Sequence, residues 1–306
     1  MKALVTGGAG FIGSHVADAL LAAGWKVVIL DNLATGSEAN IPDGADFLRG
    51  DVGDAGLLAP ILPGCQAVFH LAAVSSVQDS LARPVKVHET NLTATLSLLE
   101  ETVRHQVPRF IFSSSAAVYG DTGGQPARED MKPCPLSHYA VQKLACEHYC
   151  SVYHRLHGLE TVCLRYFNVF GPRQRADSPY SGVIAKFLDA AKAGRPVTIF
   201  GDGGQTRDFC HVSDVVAANL TAATAPATRA AGRVFNIGSG TSRSVNQIAA
   251  AVQACFPASA APEQSAGRSG EVRTSCADIS QAAAGLNFHP NVGFEEGLEN
   301  LAKLSR

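Results

Sequence analysis

The chain has 306 residues, a net charge of −2, 46% hydrophobic residues and 17% charged ones, enough for a large core in one elaborated domain or two. With no excess of basic residues, there is no electrostatic case for nucleic acid or an anionic membrane as partner. No cationic-then-apolar leader precedes the first strand and no apolar run reaches the ~20 residues of a membrane span, so the expectation is a cytoplasmic protein.

Lys2 to Thr6 reads as a short buried strand feeding Gly7-Gly8-Ala9-Gly10-Phe11-Ile12-Gly13. In such a turn Gly7 makes the tight bend, Gly10 lets main chain approach a diphosphate, and Gly13 lets the next helix pack close to the strand. The helix opening at Phe11-Ile12 offers its first amides to phosphate. It runs to Ala23, stops at Gly24, and is followed by an apolar strand, Lys26 to Leu30, ending in Asp31-Asn32. A carboxylate at that tip accepts from both ribose hydroxyls of an adenosine and repels a 2′-phosphate, which favours NAD over NADP. An ordinary turn at Asp31-Asn32 is the alternative.

Asn32 to Asp43 is a loop, and Ala45 to Asp51 a third strand whose end, Asp51-Val52, is placed to meet an adenine ring. A short helix, Ala55 to Leu62, precedes a fourth strand, Gln66 to Ala73, whose small end Leu71-Ala72-Ala73 allows main chain to pass close to a cofactor. His70 on it reads as a packed strand-end histidine, not a catalyst. Val85 to Gln106 reads as one long helix with Leu92, Leu96, Leu99 and Val103 on a stripe, closed by Val107-Pro108. Asn91 there is either a solvated polar residue or a hydrogen-bonding group near the cofactor. Arg109 to Ser115 is a fifth strand ending in the hydroxyls of Ser113, Ser114 and Ser115. The strand–helix alternation implies an α/β fold with a doubly wound parallel (Rossmann) sheet, whose ligands lie at the strand carboxyl ends.

Ala116 to Ser137 is loop-like, and Ser137 or His138 opens a helix that ends at His157 before Gly158. A sixth strand, Thr161 to Tyr166, leads into Phe167-Asn168. A helix Val183 to Ala193, a strand Val197 to Phe200, a helix from Ser213 and a strand Val234 to Ile237 follow, and Pro257 to Gly267 reads as an exposed connector. The expected organisation is a dinucleotide-binding unit over 1–167, with a later contribution from about 212–238, and a smaller, partly interleaved α/β substrate unit over 168–306. The eight cysteines form no Cys-x-x-Cys pair and read as reduced and mostly buried, with no metal site.

Tyr139 and Lys143 stand one helical turn apart and project from one face. An ammonium held there, with a positive nicotinamide ring, favours the phenolate and turns the tyrosine into a general base. A serine from the end of the fifth strand can then position the substrate oxygen whose proton is removed. A plain exposed helix face would explain Tyr-x-x-x-Lys alone, but the dinucleotide turn, acidic second strand and hydroxyl-ended fifth strand precede it in order.

Several motifs together resemble the extended short-chain dehydrogenase/reductases, and within them the nucleotide-sugar 4-epimerases of the UDP-galactose 4-epimerase type. They are Thr6 to Gly13, His70 to Ala73, Ser113-Ser114-Ser115-Ala116-Ala117-Val118-Tyr119-Gly120, Tyr139-Ala140-Val141-Gln142-Lys143, Arg165 to Pro172, Thr206 to Val212, and Arg268-Ser269-Gly270-Glu271. The likeness spans essentially the whole chain. It implies that Tyr139 takes the proton of a sugar 4-hydroxyl while hydride passes to NAD, that Ser115 holds that oxygen, and that the 4-keto sugar turns over and regains hydride on its other face. It also implies that Asn168, Arg207 and Arg268 hold a UDP group, with Val183, Lys186, Ile199, Phe200 and Glu271 lining the substrate and Gly36, Tyr166 and Phe167 the cofactor. Ala116 and Ala117 stand where dehydrating or decarboxylating relatives carry acidic residues, which disfavours those reactions. Ser275 stands where epimerases restricted to plain hexoses carry a tyrosine, leaving room for a 2-acetamido group. A homodimer through the helices Val85 to Gln106 and Ser137 to His157 is implied as well. The rivals are a UDP-uronate 4-epimerase, with Lys186 or Arg173 meeting the carboxylate, a non-catalytic NAD-binding regulator, and a net dehydrogenase.

Overall fold

The computed structural model describes residues 1–175, 182–267 and 272–304. Strands β1 (Lys2–Thr6), β2 (Lys26–Asp31) and β3 (Asp46–Arg49) alternate with helices α1 (Phe11–Ala22) and α2 (Ala55–Ile61). Next come β4 (Ala67–His70), α3 (Val77–Ala82), α4 (Pro84–His88), α5 (Ala94–Arg104), β5 (Arg109–Ser115), α6 (His138–His157) and β6 (Glu160–Tyr166). The second half comprises β7 (Asn168–Phe170), α7 (Val183–Lys192), β8 (Thr198–Phe200), β9 (Thr206–His211), α8 (Val212–Thr224), α9 (Ala227–Ala230) and β10 (Arg233–Ile237). It closes with β11 (Ser242–Ser244), α10 (Val245–Cys255), β12 (Glu263–Ser265), α11 (Ser280–Leu286) and α12 (Phe294–Leu304).

Seven parallel strands form one sheet in the order β10-β6-β5-β4-β1-β2-β3. This is the doubly wound α/β arrangement, with the strand order reversing between β1 and β4, and all carboxyl ends on one edge. Alternation along each strand divides the core into two layers. Ala3, Val5 and Ile111 face Val16, Leu20, Val215 and Ala218 of α1 and α8, whereas Leu4, Phe110 and Phe112 face Leu98, Cys146 and Cys150 of α5 and α6. A third core, with Phe170, Phe187, Ile199, Phe209, Ile248 and Phe294, joins α7, α10 and α12 to the small sheets β11-β9-β7 and β12-β8.

The helix expected over Val85 to Gln106 is divided. Arg83 leaves helical geometry, Pro84 starts α4, and a π turn over Glu89–Thr93 precedes α5. That turn frees the Asn91 carbonyl, which accepts from Thr95 Oγ1 at 2.7 Å and Cys146 Sγ at 3.3 Å. The connector expected over Pro257 to Gly267 contains β12, which extends a parallel pairing with β8 despite being exposed. Helices α10, α11 and α12 have no counterpart in the sequence reading; for α10 the signal was the reciprocal capping box between Ser244 and Gln247.

Candidate active site

Three glycines shape the turn after β1. At Gly7, with φ +69°, a Cβ would lie 2.7 Å from the Ala72 amide nitrogen, so this turn and the end of β4 touch across the sheet's switch point. A Cβ at Gly13 would collide with the Gly7 carbonyl oxygen, whereas one at Gly10 meets only that oxygen, at 3.1 Å, and otherwise faces open space. Gly10 caps α1 without a side chain, so among the described residues the amides of Phe11, Ile12 and Gly13 have no acceptor. Asp31 accepts from the amides of Ala9 (3.0 Å) and Leu33 (2.8 Å), one on each oxygen, and keeps further lone pairs free. Gly36 packs on Ala9, the Asn32 amide reaches Asp51 at 3.2 Å, and Val52 is buried beside them. Bare helix amides at a glycine cradle, with a carboxylate at the neighbouring strand end, fit a dinucleotide with free ribose hydroxyls.

Ser137 caps α6 by accepting from Ala140 N, and Gly158 ends it in the left-handed region. The buried Ser80 of α3 accepts from the Tyr139 amide at 3.2 Å and pins the start of the helix. The Tyr139 phenol faces the Ser115 hydroxyl, whose Oγ accepts from Ala117 N at 3.2 Å. One turn on, Lys143 Nζ donates to the Ser113 carbonyl at 2.7 Å, lying 4.8 Å from the centre of the Phe112 ring and 5.9 Å from that of Tyr139. Burial pushes Lys143 down to about 8 and raises Tyr139, since each ion is poorly solvated there, while the nearby Ser115 hydroxyl acts to lower Tyr139.

The remaining predicted residues divide sharply. Asn91 is 2% exposed, which removes the solvated alternative; its amide clasps both polar groups of Val74 and reaches Gln142 Oε1 at 3.0 Å, fixing the chain just after Ala73. The Ser113 and Tyr166 hydroxyls join Asn219 in a buried cluster, and the Ser114 hydroxyl is engaged on the other sheet face by Glu147. Leu71 and Ala72 are tied through their amides to Thr6, and Phe167 packs on Tyr119. Of the residues expected to line the substrate, Asn168 is exposed at the start of β7, Lys186 and Phe200 are half-buried, and Val183 opens α7. Ile199 instead turns into the third core, by strand alternation with Phe200. Arg207 reaches the Thr206 carbonyl at 2.8 Å, and the half-buried Ser275 donates its amide to the same oxygen at 3.1 Å. Arg268 and Glu271 lie outside the described residues. Arg173 is paired with Asp18 of α1 at 2.7 Å.

The sequence model of the NAD dependent epimerase/dehydratase family matches residues 3–238. The chain belongs to that family. A UDP-glucose 4-epimerase of Mycolicibacterium smegmatis is 38% identical over 315 residues, covering 100% of this chain and 99% of its own. Among solved structures, the UDP-glucose 4-epimerase of Thermotoga maritima with UDP-glucose superposes with a TM-score of 0.95 at 38% identity, over 99% of this chain and 98% of that one. The UDP-N-acetylglucosamine 4-epimerase of Methanobrevibacter ruminantium, in complex with UDP-N-acetylmuramic acid, gives 0.94 at 38% identity, over 99% and 97%. This family member therefore has an NAD-dependent chemistry, and the Rossmann sheet read from its sequence is the one it adopts.

His70 is a packed histidine, bonded to Thr6 Oγ1 at 2.7 Å and Thr95 Oγ1 at 2.8 Å and pushed down to about 3 by burial. Among the described residues no group of His, Cys, Asp or Glu is placed to hold a metal ion, and no helix is long and apolar enough to cross a membrane. Sequence reasoning missed Ser80, Glu147 and Arg165. For Glu147 the signal was its place four residues after Lys143.

Proposed function

We propose that the protein inverts C4 of a UDP-hexose through a 4-keto intermediate, with NAD as a retained cofactor. The observation that carries this reading is the meeting of Tyr139, Lys143 and Ser115 where β5 ends and α6 begins. Tyr139 Oη takes the proton of the 4-hydroxyl and later returns it, and Ser115 holds the sugar oxygen between these steps. Lys143, anchored on the Ser113 carbonyl, keeps a positive charge beside the phenol and favours its ionised form. Bound NAD supplies the hydride acceptor and donor for C4. Ala116 and Ala117 follow Ser115 directly, so no side chain there can move the extra proton that elimination or decarboxylation requires.

The cofactor's diphosphate is assigned to Gly7, Gly10, Phe11, Ile12 and Gly13, its adenosine to Asp31, Asn32, Gly36, Asp51 and Val52, and its nicotinamide side to Leu71, Ala72, Ala73, Ser113, Ser114, Tyr166 and Phe167. Ser114 would contribute main chain only, given the bond its hydroxyl makes; Asn91 would act through Val74. The UDP group is assigned to Asn168, Arg207 and Arg268, whose guanidinium groups suit phosphate oxygens, with Val183, Lys186, Ile199, Phe200 and Glu271 around it. Ile199 would shape the site from within the core rather than by direct contact. Ser275 leaves space that would admit N-acetylhexosamines beside plain hexoses. The division into a cofactor unit over 1–167, joined by about 212–238, and a substrate unit over 168–306 follows from this assignment.

We further infer a cytoplasmic homodimer. Eight free cysteines, five of them buried, suit a reducing compartment. Val85 of α4 and Val141 of α6 flank a shallow cavity of about 250 Å³ on the outer face of these helices, and a second copy would cover it.

Incubation of the purified protein with UDP-hexoses, UDP-N-acetylhexosamines and UDP-uronates, followed by proton NMR, tests the reaction. Interconversion of a 4-epimer pair without accumulation of free NADH is expected; conversion of none of them sinks the reading. A uronate as sole substrate would point to the carboxylate-binding alternative, for which Arg173, spent on Asp18, is poorly placed.

A further inference from the structure

Three successive turns of α6 grip the last three residues of β5. Tyr139 faces the Ser115 hydroxyl, Lys143 Nζ donates to the Ser113 carbonyl at 2.7 Å, and Glu147 Oε1 accepts from Ser114 Oγ at 2.5 Å. The four-residue spacing keeps all three side chains on one helix face, so the helix is indexed against the strand at three consecutive positions. The first two belong to the proposed chemistry. The third is a carboxylate with no part in proton or hydride transfer, and its side chain is only 4% exposed.

Such a carboxylate is tolerable only when its charge is matched. Arg165 of β6 matches it with a two-pronged pair, Nε to Oε1 at 2.8 Å and Nη2 to Oε2 at 2.7 Å, and is itself 4% exposed. The Arg165 guanidinium lies 4.6 Å from the Tyr119 ring centre, and the Tyr119 hydroxyl donates to Asn236 Oδ1 at 2.7 Å. Asn236 in turn donates to the carbonyls of Ala127 and Asp278 and, through its amide, to Glu129. A continuous polar chain thus runs from the catalytic strand to the loop after it and to the segment before α11.

We propose that Glu147, balanced by Arg165, is a positioning residue of the reaction proposed above, fixing α6 on the end of β5 and so setting Tyr139 and Lys143 against Ser115. The assignment deepens that reading and rests on it. Glu147 also acts on Lys143 by charge. The titratable and charged groups facing Lys143 are Tyr139, Cys146, Glu147 and Cys150 of α6, Cys163 of β6 and His70 of β4, and among them Glu147 helps to keep the ammonium protonated. Removing its charge while Arg165 remains makes the pocket more positive, so phenol and ammonium both release protons at lower pH. Removing both charges cancels most of that change.

The test uses holoenzyme carrying Tyr labelled with 13C at Cζ, so that the Tyr139 titration is read by NMR independently of turnover. In Glu147→Gln, kcat is expected to fall about 10- to 100-fold with KM little changed, because the reacting groups are displaced and not the sugar's binding groups. The Tyr139 titration is expected to move down by about one pH unit in that variant and to return towards wild type in Glu147→Gln/Arg165→Met. A role confined to stability would lower the melting temperature and leave the titration in place. Ser114→Ala, which deletes one hydroxyl, is the second variant and is decisive if Glu147→Gln does not fold: a fall in kcat at constant KM is expected. An unmoved Tyr139 titration in Glu147→Gln, or an unchanged kcat in Ser114→Ala, overturns the proposal. Failure of the wild type to turn over any UDP-sugar would instead remove the reaction, and the Tyr139 titration would still decide whether Glu147 controls the pair.

Discussion

Lys143 is fastened to strand β5 by the bond from its ammonium to the Ser113 carbonyl, 2.7 Å long, and not by an ion pair. A neutral acceptor leaves the positive charge uncompensated at close range, and it acts on the phenol of Tyr139 one turn earlier, 5.9 Å from ammonium to ring centre. An adjacent carboxylate would have cancelled that effect. Glu147 lies a turn further on, with its own counter-ion.

Tyr139→Phe keeps the ring that packs at the start of α6 and removes only the proton acceptor. Turnover of whichever UDP-sugar the wild type converts is expected to fall by about 10²- to 10⁴-fold, the range for loss of general acid–base catalysis. Retained NAD, measured after denaturation, should be undiminished. An unchanged rate would remove Tyr139 from the mechanism.

The glycine turn separates packing from binding. Gly13→Ala drives a Cβ into the Gly7 carbonyl oxygen, which main chain cannot easily yield, so a loss of about 2–3 kcal/mol in thermal or denaturant unfolding is expected. Gly10→Ala meets that oxygen only at 3.1 Å and otherwise points into the open cleft. It should fold with nearly wild-type stability and lose NAD on gel filtration.

His70 predicts an acid limb in stability. The folded chain holds it neutral down to about pH 3, whereas the unfolded chain protonates it near its ordinary value of 6.5. Between those values the unfolded state binds the extra proton, so stability falls as pH falls, by about 1.4 kcal/mol per pH unit from this group. Urea unfolding of His70→Gln between pH 6.5 and 4 should show a slope shallower by that amount than the wild type, since glutamine can bond Thr6 and Thr95 without titrating.

In the proposed reading, Ser275 sets the size of the sugar accepted. Ser275→Tyr is expected to reduce kcat/KM for UDP-N-acetylhexosamines about tenfold or more relative to UDP-glucose, since a group that no longer fits forfeits its own binding and strains its neighbours. An unaltered ratio of the two substrates in an NMR competition would refute this use of the position.

Val85 is 72% exposed and Val141 51%, an unusual state for branched apolar side chains on neighbouring helices. Replacing both with glutamate should convert a dimer to a monomer in sedimentation velocity with the NAD content retained. A wild-type protein that sediments as a monomer would rule out the dimer.

Much of the site was written in local chemistry. The glycines after β1 announce their turn because only a missing side chain allows it, and the ends of α6 were legible because Ser137 and Gly158 act on the amides and carbonyls nearest them. Tyr139 and Lys143 share a face by helix periodicity alone. The sequence by itself therefore determined the order of strands in the first half, the glycine turn and the Tyr–Lys pair. Tertiary structure alone decided that the Ser114 hydroxyl turns from the cleft to Glu147, that Arg165 arrives from β6 to neutralise it, and that Asn91 is buried against Val74 rather than solvated. It likewise decided that β12, polar and exposed, pairs with β8, and that α10 and α12 close a third core. Those outcomes depend on which distant segments the packed sheet brings within hydrogen-bond reach, and a buried charge or amide finds its partner across space, where the spacing of residues along the chain carries no record of it.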